Sequence, residues 1–536
     1  MISLKYLLSI VLVVLVAGIR PWCANPQAEF SKFGGRPFLP SQTAHGPLSA
    51  GAGAALKVRG AGAAGSFYPA DPKELTQMID GLLARNTVPQ VQGSLVVLIC
   101  PHAGYIFTGS VAAACFAQLK GRKYTRVVII APSHFVIFPF SSIYDGDAYA
   151  TPLGQIPIDK EFRTRLARLS STLKISDRGH VREGESPEHA LEVQLPFLQR
   201  TLGDFKLVPI IMGDQDYGVE RGLGRALAKA LLAEPAESRA QTLILVSSDL
   251  SHYHPYDDAE KIDHQTLQAM ADWDYLSLSR NFALWQRGTQ TWEVCGGGPI
   301  VAGMIAAEGL GAARAQVLKY GNSGDTTTVK DRVVGYGAVA ITRTSPAEPR
   351  RNMVNALTVQ EKAALIEIAR SSVEAAVRDH KMYLGTPPVF PRLQEAHGAF
   401  VTLKEHGELR GCIGYTTPLK SLAETVRDVA ALAAFEDSRF TPVTVNELPL
   451  LKYEISVLSP LQRVVDIKEI KVGKHGLIIK QGDIEGVLLP QVPVEEHWNR
   501  DTFIEETCRK AGLPRRAWRD AETDIFKFTA LVFGEP

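Results

Sequence analysis

The chain has 536 residues, too many for one ordinary domain, so its length predicts two or three domains. Hydrophobic residues make up 45% of the sequence and charged residues 21%, which is the balance of a globular protein with substantial cores. The formal net charge is +1, so no global electrostatic field favours nucleic acid or an anionic membrane, and we expect no nucleic-acid partner.

The first residues have the pattern of a targeting segment. Lys5 precedes an apolar run over residues 6–18, which is the length of a signal-peptide core and short for a bilayer span. A cut after Ala24 would place the bulky Trp22 where a small residue is preferred, so residues 1–24 are either a signal peptide or an uncleaved membrane anchor. We therefore expect an exported or inner-membrane-anchored protein on the periplasmic side. A buried N-terminal helix is the alternative.

A linker and then a folded region follow. Residues 25–57 are rich in Gly, Ala, Pro and Ser and show no helical or strand period, which predicts a linker. Asp71 and Pro72 are the preferred residue types for a helix N-cap and for the first helical position, so they predict the first helix.

Between residues 95 and 342, continuous runs of Val, Ile and Leu alternate with helical patterns. Such runs fit strands that are buried on both faces, and the alternation predicts an α/β sheet in a domain over residues 58–342. The predicted strands are 95–100, 126–131, 206–211, 242–247 and 334–342. The predicted helices are 109–119, 160–169, 189–202, 218–233, 257–272, 276–284 and 299–309.

Three of these strands stop at a polar side chain that suits a metal or an acid–base role. His102 and His134 follow the first and second strands, and Asp249 follows the strand at 242–247. Ligands in open α/β sheets usually bind beyond the carboxyl ends of the strands. One strand–helix–strand unit separates the two histidines, so they can meet at neighbouring strand ends and form part of a metal site. A hydrogen-bonded loop histidine is the alternative for each.

Five motifs in order resemble the Memo family, which is component B of the AmmeMemoRadiSam system. They are Pro101-His-Ala-Gly-Tyr105, Ala131-Pro-Ser-His134, Glu188-His-Ala-Leu-Glu-Val-Gln-Leu-Pro196, Ser247-Ser-Asp-Leu-Ser-His252, and Cys295-Gly with Pro299. The resemblance covers about residues 58–342. It implies an α/β fold like that of the class III extradiol dioxygenases, which use non-haem iron, and a functional association with a radical SAM protein.

The same resemblance implies roles for individual residues. His102, His134 and Cys295 would form the metal set, and His252 would be the acid–base histidine. In the dioxygenases a carboxylate stands where Cys295 stands here. A soft sulfur ligand favours iron(II), copper or zinc over hard ions, and it makes the site oxidisable. Dioxygenase activity therefore does not follow from the fold alone.

Two further residues are candidates for the catalytic pocket. Asp249 would orient a ligand imidazole, or else cap the turn at residues 250–253. His189 follows the helix-capping candidate Ser186, and it would either face the pocket or simply close the start of a helix. Gly296-Gly297-Gly298 either lets the backbone approach a ligand or makes a tight strand-to-helix turn.

A second domain is predicted over residues 355–536, after a linker at residues 343–354. Thr358 is the predicted N-cap of its first helix. The rest mixes short strands with helices, which predicts a smaller α+β domain. The predicted strands are 399–404, 452–458, 476–480, 484–489 and 526–533, and the predicted helices lie near 418–435 and 494–511.

Four motifs of this domain resemble the AMMECR domain, component A of the same system. They are Leu409-Arg-Gly-Cys-Ile-Gly-Tyr415, Phe435-Glu-Asp-Ser-Arg-Phe-Thr-Pro442, Glu454-Ile-Ser-Val-Leu-Ser459 and Gly486-Val-Leu-Leu-Pro490. These motifs predict a cleft lined by Arg410, Cys412, Glu436, Asp437 and Arg439, in which a neighbouring arginine would lower the pKa of the Cys412 thiol. The alternative is that the two glycines make a bend or bulge and Cys412 is packed.

The sequence thus favours a metal-binding redox protein. Iron is the metal that we expect first, and copper or zinc are the alternatives. The protein would be an oxidoreductase that acts with a radical SAM partner on an unknown small molecule or peptide. A non-catalytic metal-handling or peptide-binding scaffold is the first alternative. A modification unit in which Cys412 reacts is the second.

Overall fold

The computed structural model describes residues 56–181, 188–286, 294–312, 314–343, 357–383, 385, 390–418, 420–482 and 484–535. The predicted targeting segment, nearly all of the first linker and most of the second linker lie outside these residues. Among the described residues, no helix is both long enough and apolar enough to cross a membrane.

The first region, residues 58–343, alternates strands and helices. Its strands are β1 (Val58–Arg59), β2 (Ser94–Cys100), β3 (Arg126–Pro132), β4 (Ser141–Ile143), β5 (Ala148–Thr151), β6 (Gly154–Pro157), β7 (Leu173–Ile175), β8 (Lys206–Met212), β9 (Thr242–Ser247), β10 (His252–His254), β11 (Arg314–Asn322) and β12 (Val333–Arg343). Its helices are α1 (Pro72–Ala84), α2 (Tyr105–Phe116), α3 (Lys160–Ala167), α4 (Leu195–Leu202), α5 (Tyr217–Leu232), α6 (Ala236–Ala240), α7 (Tyr256–Ala271), α8 (Tyr275–Gln286) and α9 (Gly297–Gly309).

One large mixed sheet organises this region. Strands β2, β9, β3 and β8 are neighbours in that order and run parallel to one another. Strand β12 pairs antiparallel with β2, and β4 pairs antiparallel with β8. Strands β7, β10 and β11 extend this sheet, whereas β1, β5 and β6 form a small separate one. Because the four central strands are parallel, their carboxyl ends lie at the same edge.

Apolar cores cover both faces of the large sheet. In β2, Val97 and Ile99 belong to one core, while the alternate residues Leu98 and Cys100 belong to the other. The first core includes residues of α5, α7, α8 and α9, and the second includes residues of α1, α2 and α4. A strand that is buried on both faces needs apolar residues at every position, which explains the continuous hydrophobic runs.

Most predicted elements of this region agree with the structure, but the helix predicted at 109–119 spans Tyr105–Phe116, and another predicted helix differs near one histidine. Each of the five predicted strands is present with bounds within one residue. Asp71 caps α1 by accepting hydrogen bonds from the backbone N–H groups of Lys73 and Glu74, as predicted. The helix predicted at 189–202, however, begins only at Leu195, after a short 3₁₀ turn. His189 therefore lies in a loop, and its predicted N-cap Ser186 lies outside the described residues.

The second region has mixed secondary structure. Its strands are β13 (Ala399–Glu405), β14 (Glu408–Tyr415), β15 (Leu451–Leu458), β16 (Gln462–Arg463), β17 (Gly476–Gln481), β18 (Ile484–Leu488), β19 (Thr523–Phe528) and β20 (Ala530–Gly534). Its helices are α10 (Val359–Asp379), α11 (Leu422–Phe435), α12 (Val492–Glu495) and α13 (Arg500–Lys510). Thr358 caps α10 in a reciprocal capping box with Glu361, which confirms the predicted N-cap.

These strands form two antiparallel sheets. The orders are β14-β13-β15-β20 and β16-β19-β17-β18. Helices α10 and α11 pack on the first sheet, and α13 packs on the second. The single strand predicted at 526–533 is in fact two strands, β19 and β20, and they join different sheets. The segregation of helices and antiparallel strands agrees with the predicted α+β architecture.

The two regions share a core. Residues of the second region belong to the same apolar cluster as α8 and α9 of the first, and they are Leu458, Leu461, Ile478, Phe526 and Phe528. The rings of Tyr275 and Phe526 meet edge to face with their centroids 6.0 Å apart. The contact between the regions is therefore apolar and buried.

Two glycines of α5 provide a test of how closely this helix packs against α9. A Cβ on Gly224 would lie 2.7 Å from both the Ala302 carbonyl oxygen and the Ile305 Cβ, whereas a Cβ on Gly218 would contact nothing within 4 Å. We expect Gly224→Ala to destabilise the protein by about 1–3 kcal/mol through overpacking. Gly218→Ala is the matched control and should stabilise it by up to about 1 kcal/mol. Urea unfolding of both variants measures the difference, and equal effects would contradict this packing.

Candidate metal centre

The carboxyl ends of the parallel strands bring the predicted residues together. His102 lies two residues beyond β2, His134 two residues beyond β3, and Asp249 two residues beyond β9. These strands are neighbours in the order β2-β9-β3, so the loops that follow them converge on one pocket. The expected meeting of His102 and His134 is confirmed, since their ring centroids are 5.1 Å apart.

Three imidazoles form a group that could hold a metal ion. Among the described residues, one ring nitrogen from each of His102, His134 and His189 lies within 4.8 Å of the others. The ring of His189 stacks on that of His134 with centroids 4.8 Å apart, and it meets the ring of His102 edge to face at 5.6 Å. His189, which the sequence placed among the catalytic residues, therefore stands with the ligand candidates.

Ser247 fixes the proton on one ring nitrogen of His102. The Ser247 hydroxyl donates its single hydrogen to the Ala190 carbonyl oxygen at 2.6 Å. The same oxygen lies 2.9 Å from His102 Nδ1 and accepts a hydrogen bond from Gln194 Nε2 at 2.8 Å. Because the hydroxyl has no second hydrogen to give, Nδ1 must carry the proton. The other nitrogen, Nε2, is then the one available to a metal ion.

Glu188 plays the same part for His134. Its Oε1 lies 3.0 Å from His134 Nδ1, and its Oε2 accepts the backbone N–H of His134 at 2.7 Å. Oε1 also accepts the backbone N–H groups of His189 and Ala190, each at 2.9 Å. Burial opposes its ionisation, but the charges and hydrogen bonds of His134 outweigh burial and lower the pKa of Glu188. A carboxylate behind the ring keeps the proton on Nδ1 and leaves Nε2 toward the pocket.

His189 is held as a neutral ring. The Phe67 ring stacks on the His189 ring, with the ring centroids 4.1 Å apart and an angle of 21° between the ring planes. Burial, followed by the charge of His134, lowers the pKa of His189 to about 3. A neutral imidazole is the form that binds metal ions.

Cys295 brings a thiol sulfur into the same group. Its Sγ lies 3.0 Å from His102 Nε2 and accepts the backbone N–H of Asp249 at 3.2 Å. Burial raises the pKa of the Cys295 thiol, but the charge of His102 and hydrogen bonds from His102, His134 and His252 outweigh burial and leave that pKa well below its usual range. The pocket therefore stabilises a thiolate, which is the form that binds metals.

The glycines after Cys295 serve packing. A Cβ on Gly296 would lie 2.6 Å from the Ser247 carbonyl oxygen, so only glycine lets this segment approach the end of β9. Gln215 then holds the turn: its Nε2 donates to the Cys295 carbonyl oxygen at 3.1 Å, and its Oε1 accepts the Gly298 N–H at 2.7 Å. Of the two readings of the glycine run, the tight turn is the one that these contacts support.

His252 and Asp249 lie beside the thiolate. Burial lowers the pKa of His252, but a hydrogen bond to Cys295 and the charges of Cys295 and Asp249 outweigh burial and raise it. The Asp249 carboxylate accepts the backbone N–H groups of His102 at 2.7 Å and of Ala103 at 3.3 Å. Asp249 thus binds the main chain of His102, whereas the predicted partner was an imidazole ring.

Exposed apolar side chains lie beside two of the pocket histidines. Phe135 is 43% exposed, and its ring centroid lies 6.2 Å from that of His134. Tyr253 is 49% exposed and lies 5.7 Å from the ring of His252 by the same measure. Ile137, three residues after His134, is 85% exposed.

The predicted cleft of the second region is only partly assembled. The backbone N–H of Cys412 donates to Asp437 Oδ2 at 2.8 Å, and Arg439 binds both oxygens of that carboxylate, at 2.8 and 2.6 Å. Arg410 pairs instead with Glu447 at 2.7 Å. Glu436 is exposed just beyond α11.

The environment of Cys412 differs from the sequence expectation. Burial raises the pKa of its thiol, and although Thr402 and the charge of Arg439 act to lower this pKa, they do not outweigh burial. A Cβ on Gly411 would lie 2.2 Å from the Ala433 carbonyl oxygen. The register of β13 with β14 shifts at the same place. These contacts support the packing alternative for this motif.

Several residues of the metal pocket had no role assigned from the sequence. They are Glu188, Gln194, Gln215 and Ser247, all of which act through hydrogen bonds to residues distant in the chain. Glu188 and Gln194 lie in a motif that the sequence did single out, and Ser247 begins another. For Ser247, a polar residue at the end of an otherwise apolar strand was the available signal.

Comparison with known proteins places both regions in families. The Memo-like protein model matches residues 59–340, and the AMMECR1 model matches residues 366–533. A MEMO1 family protein of Methanopyrus kandleri is 34% identical over 290 residues, which are 52% of this chain and 97% of that protein. One from Methanosarcina mazei is 36% identical over 291 residues, 53% of this chain and 100% of that protein. The crystal structure of an uncharacterized protein from Pyrococcus horikoshii has 40% identity and a TM-score of 0.31, and covers 32% of this chain and 89% of that one.

The two thiols provide a test of the pocket electrostatics. In metal-free protein, the pKa of Cys295 lies well below its usual range and that of Cys412 lies above it, so Cys295 keeps its thiolate to a lower pH than Cys412 does. We expect iodoacetamide at pH 7 to modify Cys295 faster than Cys412, although Cys295 is the more buried of the two. Peptide mass spectrometry over a pH series measures both rates. Faster modification of Cys412 at neutral pH would contradict the thiolate assignment.

Proposed function

This chain belongs to the family of Memo-like proteins, and we propose that its first region binds a first-row transition metal ion and works as a metal-dependent oxidoreductase. The observation that carries the proposal is the convergence of His102, His134, His189 and Cys295 on one pocket. Two of these rings have their Nδ1 protons committed to other partners, so their Nε2 atoms are left for a ligand. The pocket is thus prepared to bind a cation.

The donor set fits a metal of intermediate softness. Imidazole nitrogen and thiolate sulfur suit iron(II), copper and zinc better than magnesium or calcium. We propose His102, His134 and Cys295 as the principal ligands with iron as the metal, and His189 as a further ligand. Such an ion would supply redox chemistry. The resemblance of Memo proteins to class III dioxygenases supports iron and a related α/β fold for this region.

The protein's own groups would manage protons around the reacting molecule. His252 lies next to the thiolate, and its raised pKa suits a group that holds a proton near neutral pH. We propose it as the acid or base of the reaction. Asp249 holds the backbone of the His102 loop, so its contribution is to position a ligand. The apolar rim of Phe135 and Tyr253, whose rings lie beside those of His134 and His252, would contact a bound substrate.

A metal-handling or peptide-binding scaffold is the second candidate function. The exposed apolar rim favours it, because exposed apolar patches beside a pocket often mark contact surfaces for other molecules. The two functions differ in one respect: a scaffold needs the rim and the ligands but has no use for His252 as a proton carrier.

The family resemblance also supports a partner and a location. We propose that the protein acts with a radical SAM protein, because both of its regions resemble components of one system that is named for such an enzyme. The apolar run at residues 6–18 supports export or anchoring on the periplasmic side. Determining the N-terminal sequence of the native protein tests whether the first 24 residues are removed.

Metal content identifies the ligand set. After anaerobic purification, we expect the wild type to hold one first-row metal ion, and His102→Ala and His134→Ala to lose it. Cys295→Ser and His189→Ala rank the remaining two donors by the metal that each variant retains. Elemental analysis provides the measurement, and His264→Ala, a histidine on α7 in the same region, is the control. Equal metal in the wild type and all four site variants would show that the site lies elsewhere.

Glu188 provides a second test of the same pocket. Glu188→Gln keeps the shape of the side chain but weakens its hold on His134 Nδ1–H and removes its charge. Loss of an outer-shell carboxylate of this kind costs about 10–100-fold in metal affinity. Competition with a chelator measures the affinity of each variant. The control is Asp257→Asn, which changes an exposed carboxylate on α7 and should leave the metal affinity unchanged. An unchanged metal affinity in Glu188→Gln would indicate that His134 is not a ligand.

His252 separates the two candidate functions. For the oxidoreductase, we expect His252→Ala to keep its metal yet to lose most of its oxygen uptake with candidate substrates, by about 100-fold or more for a lost proton carrier. An oxygen electrode measures the rate, and the metal content of the same sample is the control. A wild type that holds metal but consumes no oxygen with any substrate would favour the scaffold.

A further inference from the structure

We propose that the second region positions the Cys295 thiolate of the metal centre, by holding the two helices whose N-termini lie beside it. This inference rests on the proposed metal-binding function. The helices are α5 and α9 of the first region, and the contact that holds them is a buried ion cluster around Asp524 of β19.

Helix α9 joins Cys295 directly to the second region. It begins at Gly297, two residues after Cys295, and ends at Gly309. In its last turn, Glu308 accepts a hydrogen bond from the Tyr275 hydroxyl at 3.1 Å and pairs with Arg463 of the second region at 3.5 Å. One end of this helix therefore lies at the metal pocket and the other at the contact between the regions.

Helix α5 makes a second and shorter connection. Gln215, which binds the Cys295 carbonyl oxygen and the Gly298 N–H, stands two residues before Tyr217, the first residue of α5. The Tyr217 hydroxyl donates to Asp524 Oδ2 at 3.0 Å. A shift of the second region that pulled on Tyr217 would thus reach the side chain that fixes Cys295.

The Asp524 cluster is buried and pairs one carboxylate with three arginines. The carboxylate is 2% exposed and accepts hydrogen bonds from Arg221 at 2.7 Å, from Arg463 at 2.9 Å, and from Arg225. Burial opposes its ionisation, but these arginines outweigh burial and lower the pKa of Asp524. Two of the arginines lie on α5 and one lies on β16, so a single charge binds both regions together.

The two helices cannot move independently of each other. The Cβ that Gly224 lacks would lie 2.7 Å from the Ala302 carbonyl oxygen, and one on Gly309 would lie 2.6 Å from Ala228 Cβ. Backbones in such close contact transmit a displacement of one helix to the other. The cluster, the helix pair and the turn at Gln215 therefore form one continuous support for the thiolate.

Cobalt(II) binding to the full chain tests the inference, because a thiolate ligand gives bound cobalt a charge-transfer absorption that imidazoles do not give. We expect Asp524→Asn and the milder Tyr217→Phe to weaken cobalt affinity and to reduce or shift this band. For Asp524→Asn we expect a loss of about tenfold in affinity, the lower end of what loss of a direct partner of a ligand costs. The matched control is Glu522→Gln, which makes the same kind of change to a carboxylate that also pairs with Arg221 but is 72% exposed. It should behave as the wild type does.

The outcomes separate this inference from the proposed function. A wild type that binds no cobalt would contradict the proposed metal centre itself. A wild type with the thiolate band, and unchanged affinity and spectrum in both Asp524→Asn and Tyr217→Phe, would overturn the positioning role alone. An equal loss in Glu522→Gln would also overturn it, because the effect would then not depend on the buried cluster.

Discussion

Buried polar groups at the carboxyl edge of the large sheet must find partners within the protein, and the rest of the pocket depends on this constraint. The Ser247 hydroxyl illustrates it: one hydrogen and two acceptor positions serve Ala190, His102 and Gln194. Glu188 is equally committed, through bonds to the ring of His134 and to three backbone N–H groups. Because these hydrogen bonds are saturated, the imidazoles have little freedom to turn, and the pocket is preorganised before any ligand arrives.

Sequence patterns predicted the parts of the structure that depend on local physics. Continuous apolar runs identified β2, β3, β8, β9 and β12, because a strand covered on both faces leaves no position for a polar residue. The motif resemblance then selected His102, His134 and Cys295 from the many polar residues at strand ends. The hydrogen-bond partners of these side chains could not be predicted from the sequence. The hydrogen bond from Gln215 to Cys295, for instance, joins residues in different loops, and no local pattern encodes such a pairing.

In the second region, by contrast, a sequence motif suggested a reactive site that the structure does not favour. Its sharpest motif, Leu409–Tyr415, suggested a reactive cysteine because glycines flank Cys412 and arginines are close in sequence. Gly411 faces the Ala433 carbonyl oxygen of α11, and Gly414 faces the Phe400 ring of the neighbouring strand, so both are required by packing. Arg439 is bound by Asp437. Proximity in sequence was therefore a poor guide to electrostatic effect. Arg410, which is close to Cys412 in sequence, pairs with Glu447, and the lowering effect of Arg439 on the thiol pKa does not outweigh burial. Cys295 is the contrasting case, because its histidine partners lie far away in the chain.

The core shared by the two regions has a consequence for the first region on its own. Helix α9 is apolar all round and buried along nearly its whole length, and it belongs to the same apolar cluster as Leu461 and Phe526 of the second region. The Memo-like relatives that this chain matches over 97% to 100% of their length have no room for a second region of this size. Removing the second region from this chain would expose the apolar residues that Leu461 and Phe526 now pack with. The first region on its own would therefore carry an apolar patch of the kind that drives association with another surface.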